Sequence, residues 1–419
     1  MGASEIERMA GMADRYRRPD WVRRLNAMGD SVGGSIVGAR RLVPLDADEL
    51  LEAASADLGG GEFGDFGDPR WRERFEALVR AVDDTPMHVV GRLMTKQEIL
   101  RALRARLQLA RTWEAHPEIA SETIEAPVVV TGPARSGTSI LFELLWLDPG
   151  LRGPVGWEVL HPIPPGADAA GERRRAWSEC EQELWADVQP EFAAIHELRS
   201  DLPVECITLS LPSFCGPHWG MVGVGFETDP VENYAFEKRL LQVLQFGDPG
   251  TRWLLKTPGH LMTIDLLFET FPDAWVVQTH RDPARTMPST VSTTAMVQWL
   301  RMDQVDLARL AAGIGAGFSH ALNSVTQRRA QGDLPDRFVD VHFQQLMSDP
   351  VETLRRVYAS MERDFPQEHG ERITRYLADK PRGKFGVHKY TPEEWGFTKE
   401  ELREALSPYV EGFGVALED

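Results

Sequence analysis

Short apolar runs, spaced far apart along the chain, predict the strands of an α/β protein. Residues 128–130 are three consecutive valines, and residues 253–255, 275–278 and 338–342 are similar short segments. The apolar stretch at residues 140–147 has the length and composition of a helix. Strands that alternate with helices are typical of a parallel sheet. The pattern therefore predicts an α/β fold, a P-loop-type parallel sheet flanked by helices.

The segments on either side of these strands have helical patterns. Apolar residues recur at helical spacing in residues 48–58, 69–82 and 96–113, so residues 1–125 are expected to form a mostly helical N-terminal extension. Residues 126–419 then form the α/β domain, and the part after residue 305 is expected to be helical. The first 41 residues are rich in arginine. These arginines could contact an anionic membrane surface, but a helix face exposed to solvent is the simpler interpretation.

A long segment, residues 150–250, separates the first predicted strand from the second. It has helical stretches at residues 172–187 and 232–246, and a glycine-rich aromatic run at residues 212–226. Long excursions from the top of an open α/β sheet often cover ligand sites. We therefore expect this insertion to form an acceptor site or lid, with packing filler as the alternative.

Composition and charge limit the partners. The chain has 419 residues and a formal net charge of −18, which argues against a nucleic-acid partner. Three cysteines without a CxxC pair argue against a disulfide framework and a zinc site. The first residues lack the apolar core of a signal peptide, and no apolar run reaches the length of a membrane span. We expect a cytoplasmic protein without a bound metal, and the oligomeric state stays open.

The segment VVVTGPARSGTS at residues 128–139 predicts an anion-binding loop. A strand, a glycine turn and a helix direct backbone N–H groups and the positive end of the helix dipole at one point. Gly132 and Gly137 have the spacing of a Walker A loop, but Thr138 stands where that motif has lysine. Arg135 supplies a cation within the loop. The loop is therefore suited to a single 5′-phosphate rather than to phosphoryl transfer.

Two further polar segments follow predicted strands. Lys256 and His260 lie in LLKTPGH, and Arg281 and Ser289 lie in HRDPARTMPS. Ligands of open α/β sheets bind at the carboxyl ends of the strands, so both segments are expected near the glycine loop. An arginine and a serine hydroxyl at this spacing can bind a second phosphate, while Asp282 is expected to cap the following helix.

A basic glycine-containing segment near the end of the chain, residues 380–391, is a further candidate. Its sequence, KPRGKFGVHKYT, is unusual in an acidic protein. It either closes over a nucleotide or is an exposed loop. Arg382, Lys384, His388 and Lys389 are the residues that could close over the nucleotide, and Gly383 belongs to the same candidate site.

With these segments in order, the chain resembles the sulfotransferases that use 3′-phosphoadenosine 5′-phosphosulfate (PAPS), and within them a bacterial branch with a helical N-terminal extension. Members have a [KR]-S-G-T-[ST] loop after the first strand, an arginine followed eight residues later by serine, and a C-terminal basic glycine loop. The resemblance implies that one loop binds the 5′-phosphosulfate of PAPS: Arg135, Ser136, Gly137, Thr138 and Ser139. It also implies that Arg281 and Ser289 bind the 3′-phosphate, and that Lys256 contacts the oxygen between sulfur and phosphorus.

The implied reaction is an in-line displacement at sulfur by an acceptor hydroxyl, which needs a base. His260 is the first candidate because the pKa of histidine lies near neutrality. Glu205 in LPVEC is the second, and His196 is the third or orients Glu205. Animal cytosolic members place histidine directly after K-T, whereas two residues intervene here.

The acceptor is expected to be a small hydroxylated molecule, hydrophobic and possibly lipid-like, because the insertion is rich in aromatic residues. Two alternatives remain at this stage. A P-loop kinase or nucleotide hydrolase would need an acidic magnesium ligand, for which Asp340 is the candidate. A catalytically silent nucleotide-binding protein would bind the nucleotide without turnover.

Overall fold

Five parallel strands form one sheet in the residues that the computed structural model describes, which are 11–56, 58, 68–164, 171–194, 197–248, 250–380 and 390–418. The strand order is β2-β3-β1-β4-β5. The strands are β1 (Val128–Thr131), β2 (Leu151–Arg152), β3 (Arg252–Lys256), β4 (Trp275–His280) and β5 (Phe338–His342). This confirms the predicted α/β class. The two-residue strand β2 was not predicted, since so short a run carries no pattern of its own.

The central strand β1 is apolar over its first three residues because both faces of the sheet are covered. Val128 and Val130 of β1 pack in one cluster with helix Thr138–Trp146, whereas Val129 packs in another with helix Pro230–Gln245. Side chains of a strand alternate between faces, so an unbroken run of valines buries surface on both sides. This places β1 between β3 and β4, with its carboxyl end at the middle of the sheet edge.

Helices make up most of the remaining described structure. Those before the sheet are Asp20–Ser31, Ser35–Leu42, Ala47–Ala56, Trp71–Asp84 and Val89–Ala115. Those between strands are Thr138–Trp146, Gly156–Leu160, Glu172–Val188, Cys206–Leu209, His218–Met221, Pro230–Gln245, Ile264–Thr270, Pro283–Trp299 and Leu307–Gln331. Those after β5 are Phe343–Ser348, Pro350–Ser360, Gln367–Asp379, Lys399–Ala405 and Ser407–Gly412. Single 3₁₀ turns lie at Pro117–Ser121, Pro190–Ala194, Leu211–Ser213, Pro258–Leu261 and Glu393–Trp395.

The N-terminal helices share a hydrophobic core with the rest of the chain. Phe75 and Leu103 lie in one cluster with Phe214 of the insertion and with Val291 of helix Pro283–Trp299. These helices therefore pack directly on the part that carries the candidate site. The division of the chain at residue 126 stays a prediction.

Among the described residues, no helix combines the length and the apolar character that crossing a bilayer requires.

Candidate active site

The glycine loop, residues 132–137, leaves the carboxyl end of β1 and leads into helix Thr138–Trp146. Gly132 has φ of +141°, and a Cβ there would lie 2.2 Å from the Thr279 Oγ1 atom of β4. Gly137 has φ of +94° and directly precedes the helix. Both positions need glycine, because the backbone is left-handed and one approach is too close for a side chain. The loop therefore surrounds the N-terminus of the helix, where an anion is stabilised.

Ser136 holds the loop in place. Its buried hydroxyl contacts the carbonyl oxygen of Pro133 and the hydroxyl of Thr279. Ser136 thus connects the loop to β4, although the family resemblance implies that this side chain contacts the ligand. The predicted contact of Ser136 with phosphate stays a prediction.

Lys256 ends β3 and points at the beginning of the loop helix. Its Nζ atom donates to Ser139 Oγ at 3.1 Å and also contacts Glu205 Oε1, and the residue is only 2% exposed. Thr257 Oγ1 donates to the other oxygen of Glu205 at 3.4 Å. The structure thus brings together three predicted residues from three distant segments: Ser139, Glu205 and Lys256. A buried ammonium at this position can stabilise negative charge that develops on a bound anion.

His260 lies on the 3₁₀ turn that follows Lys256. Its Nδ1 atom is 2.7 Å from the hydroxyl of Tyr234, and its buried Nε2 atom has no hydrogen-bond partner among the described residues. Burial lowers the pKa of His260 to about 4, although the nearby Glu205 carboxylate acts in the opposite direction. The imidazole is therefore neutral at neutral pH. An acceptor reaches Nε2 only after neighbouring side chains have moved.

Arg281 follows β4 and contacts the glycine loop. Its Nη1 atom donates to the carbonyl oxygen of Arg135 at 2.9 Å, and its guanidinium lies 3.8 Å from the ring of Phe343. The Nε and Nη2 atoms donate to the two carboxylate oxygens of Glu418 at 2.7 and 2.8 Å. Burial lowers the pKa of Arg135, and the Arg281 charge acts in the same direction. Two guanidinium groups lie close together here, as expected for a site that binds an anion.

Ser289 lies in helix Pro283–Trp299, which begins with the predicted cap by Asp282. The Ser289 hydroxyl is buried and forms no hydrogen bond with the described residues, and the same holds for the hydroxyls of Thr286 and Thr293. Positions 286, 289 and 293 share one face of a helix. Buried hydroxyls almost always have partners, so this row is suited to a ligand. No hydrogen bond joins Ser289 to Arg281, and their shared role stays a prediction.

Several predicted residues lie outside the described part of the chain. These are His196, Arg382, Gly383, Lys384, His388 and Lys389. Tyr390, near the end of the basic segment, donates its hydroxyl to the carbonyl oxygen of Arg285 at 3.1 Å. It also lies close enough to Arg135 that its charge acts to raise the pKa of that arginine, against the effect of burial. The end of the basic segment is thus beside the glycine loop.

Asp340, considered above as a magnesium ligand, has other partners. It forms an ion pair with Arg329 and a hydrogen bond of 2.8 Å with His280. Among the described residues, no group of acidic, histidine or cysteine side chains is arranged to hold a metal ion.

Sequence reasoning missed Tyr234, Thr263 and Glu418. Tyr234 and Thr263 contact each other and lie next to His260, while Glu418 binds Arg281. None of them belongs to a motif. Tyr234 lies in helix Pro230–Gln245, Thr263 follows the 3₁₀ turn Pro258–Leu261, and Glu418 lies in the C-terminal segment. Only the folded chain brings them to the site.

Comparisons with known proteins point to one family. A model of the sulfotransferase family matches residues 127–367 of this chain. The omega-hydroxy-beta-dihydromenaquinone-9 sulfotransferase Stf3 of Mycobacterium bovis is 25% identical over 302 residues, which cover 69% of this chain and 76% of that protein. The Mycobacterium tuberculosis Stf3 matches to the same extent.

Two solved structures are similar over most of their length. Sulfotransferase STF9 from Mycobacterium avium superimposes with a TM-score of 0.76 at 28% identity, covering 89% of this chain and 98% of that one. Sulfotransferase STF1 from Mycobacterium tuberculosis H37Rv has a TM-score of 0.71 at 26% identity, covering 86% of this chain and 98% of that one.

Proposed function

This chain belongs to the sulfotransferase family, and from that membership we propose that it transfers the sulfuryl group of PAPS to a hydroxyl of a small, hydrophobic acceptor. The chain is an enzyme, because the family and the named relatives are sulfotransferases. PAPS as the donor, the acceptor and the base are the proposed part. The observation that carries the proposal is the convergence of the glycine loop, Lys256 and Arg281 at one sheet edge.

In this proposal the donor spans that edge. The glycine loop holds the 5′-phosphosulfate with backbone N–H groups and with Arg135, while Arg281 and Ser289 bind the 3′-phosphate. Lys256 stabilises the oxygen that leaves sulfur. Its contact with Glu205 is exchanged for a contact with the donor when the nucleotide binds. The unpartnered hydroxyl of Ser289 supports this arrangement.

His260 is the proposed base. It is neutral at neutral pH, and its Nε2 atom has no partner in the described structure. Glu205 is the alternative base, since it lies beside Lys256 and is more exposed than His260, with 23% of its side chain accessible. Substitution of each residue decides between them.

A lipid-like acceptor is proposed from two observations. The name of the relative Stf3 gives a hydroxylated menaquinone derivative as its substrate. In this chain, aromatic side chains of the insertion pack in the cluster that also contains helix Pro283–Trp299: Phe192, Phe214 and Trp219. These aromatic side chains belong to the core of the insertion, and in this proposal an apolar acceptor binds beside the insertion and presents one hydroxyl to His260.

The test is a transfer assay with sulfur-labelled PAPS and a panel of hydroxylated quinones, phenols and aliphatic alcohols, read by mass as the gain of one SO₃ unit. We expect His260→Asn to lower kcat by about 10²- to 10⁴-fold while nucleotide binding is retained, because a base acts in the transition state. Exchange of the exposed His320 for asparagine is the matched control. Binding of the nucleotide without transfer to any acceptor would contradict the proposal, and a larger loss in Glu205→Gln than in His260→Asn would make Glu205 the base.

A further inference from the structure

We propose that Tyr234 and Thr263 are positioning residues that hold His260 in the tautomer with its proton on Nδ1. In that tautomer Nε2 offers a lone pair to the acceptor hydroxyl. This inference rests on the proposed function, in which His260 is the base. It adds a reason why the imidazole is in the state that a base requires.

Three side-chain contacts connect His260 to a backbone carbonyl. The Tyr234 hydroxyl lies 2.7 Å from His260 Nδ1 and 3.0 Å from Thr263 Oγ1. Thr263 Oγ1 in turn lies 3.4 Å from the carbonyl oxygen of Gly259. A carbonyl oxygen can only accept, so Thr263 donates to Gly259. The threonine oxygen is then the acceptor for the single Tyr234 proton.

With its proton directed at Thr263, Tyr234 faces His260 with an oxygen lone pair. Nδ1 must then be the protonated ring nitrogen, and it donates to that oxygen. The neutral imidazole carries one ring proton, so Nε2 is the acceptor. Every group in the series is satisfied except Nε2, which is free to accept from a substrate.

The reverse arrangement satisfies fewer groups. If Thr263 donated to Tyr234 and Tyr234 to Nδ1, the ring proton would lie on Nε2. That N–H is fully buried and has no acceptor among the described residues. The Gly259 oxygen would lose Thr263 as a donor but would keep the backbone N–H of Met262. An orphaned buried N–H is rarer and costlier than an under-used acceptor. The favoured arrangement is therefore the one in which His260 Nδ1 donates to Tyr234, Tyr234 donates to Thr263 and Thr263 donates to the carbonyl oxygen of Gly259.

The charged and titratable groups around the ring agree with this state. Glu205, which acts on His260, forms an ion pair with Lys256. Glu237 acts on Tyr234 from the same helix, Pro230–Gln245. Burial raises the pKa of Tyr234, so it keeps the proton that the series needs. Burial also raises the pKa of Glu237 to about 8, which leaves that carboxyl mostly neutral at pH 7.

The transfer step then balances as follows. The acceptor oxygen forms a bond to sulfur while the bond from sulfur to the 5′-phosphate oxygen breaks, and its electron pair leaves with adenosine 3′,5′-bisphosphate. The acceptor proton moves to Nε2. His260 becomes an imidazolium whose Nδ1–H still donates to Tyr234, so the same contact stabilises the charge that forms.

The experiment compares Thr263→Val, Thr263→Ser and Tyr234→Phe in the full chain. Thr263→Val removes the acceptor of the Tyr234 proton, which then turns to Nδ1 and moves the ring proton to Nε2. Nitrogen NMR of protein with ¹⁵N-labelled histidine reads the tautomer directly, and His260→Asn identifies the signal. We expect the Nδ1–H tautomer in the wild type and in Thr263→Ser, and the Nε2–H tautomer in Thr263→Val.

Turnover should follow the tautomer. Thr263→Val and Tyr234→Phe should lower kcat at least about 10-fold, part of the 10²- to 10⁴-fold that a general base supplies, with unchanged binding of adenosine 3′,5′-bisphosphate. Thr374→Val is the matched control, because Thr374 is exposed and makes the same bond to the carbonyl four residues earlier, at 2.9 Å. In the Thr374→Val variant, the nitrogen signals of the His260 ring and kcat should match those of the wild type.

The outcomes separate this inference from the proposed function. A wild-type ring with its proton on Nε2, or Thr263→Val with wild-type ring signals and kcat, overturns the role of Tyr234 and Thr263 and leaves His260 as the base. A His260→Asn enzyme with wild-type turnover overturns the base assignment, and the positioning role with it.

Discussion

Each of the three guanidinium nitrogens of Arg281 donates a hydrogen bond in this structure. The side chain has one contact with the glycine loop, at the carbonyl of Arg135, and two with the carboxylate of Glu418. A carboxylate and a phosphate bind a guanidinium in the same forked geometry. If Arg281 binds the 3′-phosphate of the donor, Glu418 competes with that phosphate for the same N–H groups.

Exchange of Glu418 for glutamine should therefore strengthen nucleotide binding. We expect adenosine 3′,5′-bisphosphate to bind about 3- to 10-fold more tightly, because the competing charge is removed. Arg281→Ala should weaken binding of the same nucleotide by about 1.5–3 kcal/mol, as for a lost hydrogen bond to a charged group. Calorimetry measures both.

Two controls test the competition. Glu411→Gln alters an exposed carboxylate of the same C-terminal segment and should leave binding unchanged. The analogue that lacks the 3′-phosphate should bind equally to the wild type, to Glu418→Gln and to Arg281→Ala. An equal gain or loss for both nucleotides would contradict the assignment of Arg281.

At the scale of the elements, the conformation of the glycine loop depends on the residue at position 132. Its backbone passes so close to β4 that a methyl group on residue 132 has no room, and φ at that residue is +141°. The constraint comes from the neighbouring strand β4 and not from the ligand. A substitution of Gly132 should therefore alter both the stability of the protein and its binding of the nucleotide.

The Gly132→Ala variant tests this constraint. We expect it to lower the free energy of unfolding by about 1–3 kcal/mol, through strain and displacement of Thr279, and to abolish nucleotide binding. Chemical denaturation and calorimetry measure the two effects. Gly220→Ala is the matched control, since no atom lies within 4 Å of the added carbon. A Gly132→Ala protein with wild-type nucleotide affinity would contradict the predicted role of the loop.

The same loop shows what sequence can predict. Glycines with a fixed spacing after a valine run specify a strand, a turn and a helix locally, and Lys256 and Arg281 follow as the residues at neighbouring strand ends. The pairing of Glu205 with Lys256 joins segments 51 residues apart in sequence. That of Arg281 with Glu418 joins segments 137 residues apart. No local pattern encodes such contacts, because only the packing of the insertion and the C-terminal segment creates them.

On the scale of the molecule, a buried ion pair joins the N-terminal helices to the site-bearing part. Arg301, which follows helix Pro283–Trp299, donates to Glu98 of helix Val89–Ala115 at 2.6 Å, and both side chains are at most 5% exposed. Burial raises the pKa of Glu98, but Arg301 and His218 together lower it well below its usual range. The carboxylate therefore stays charged inside the protein.

Arg301→Met should be destabilising by about 3–5 kcal/mol at neutral pH, because the Glu98 charge would stay buried without its main partner. The loss should shrink as the pH falls, since the unpaired carboxyl of the variant takes up a proton while the wild-type pair loses its contribution below about pH 4.5, the ordinary pKa of the group. Denaturation at several pH values measures this. Arg309→Met alters an exposed arginine and should change little. A deficit that grows on acidification would contradict the role of the pair.

The burial of Lys256 and His260, each 2% exposed, bears on water as a rival nucleophile. An activated sulfuryl group that meets water is lost by hydrolysis, and an enclosed site prevents that loss. With bulk solvent shut out at both residues, the donor would persist on the enzyme until an alcohol arrives. In the proposed reaction, exclusion of water from these two residues would favour transfer to the alcohol over hydrolysis of the donor.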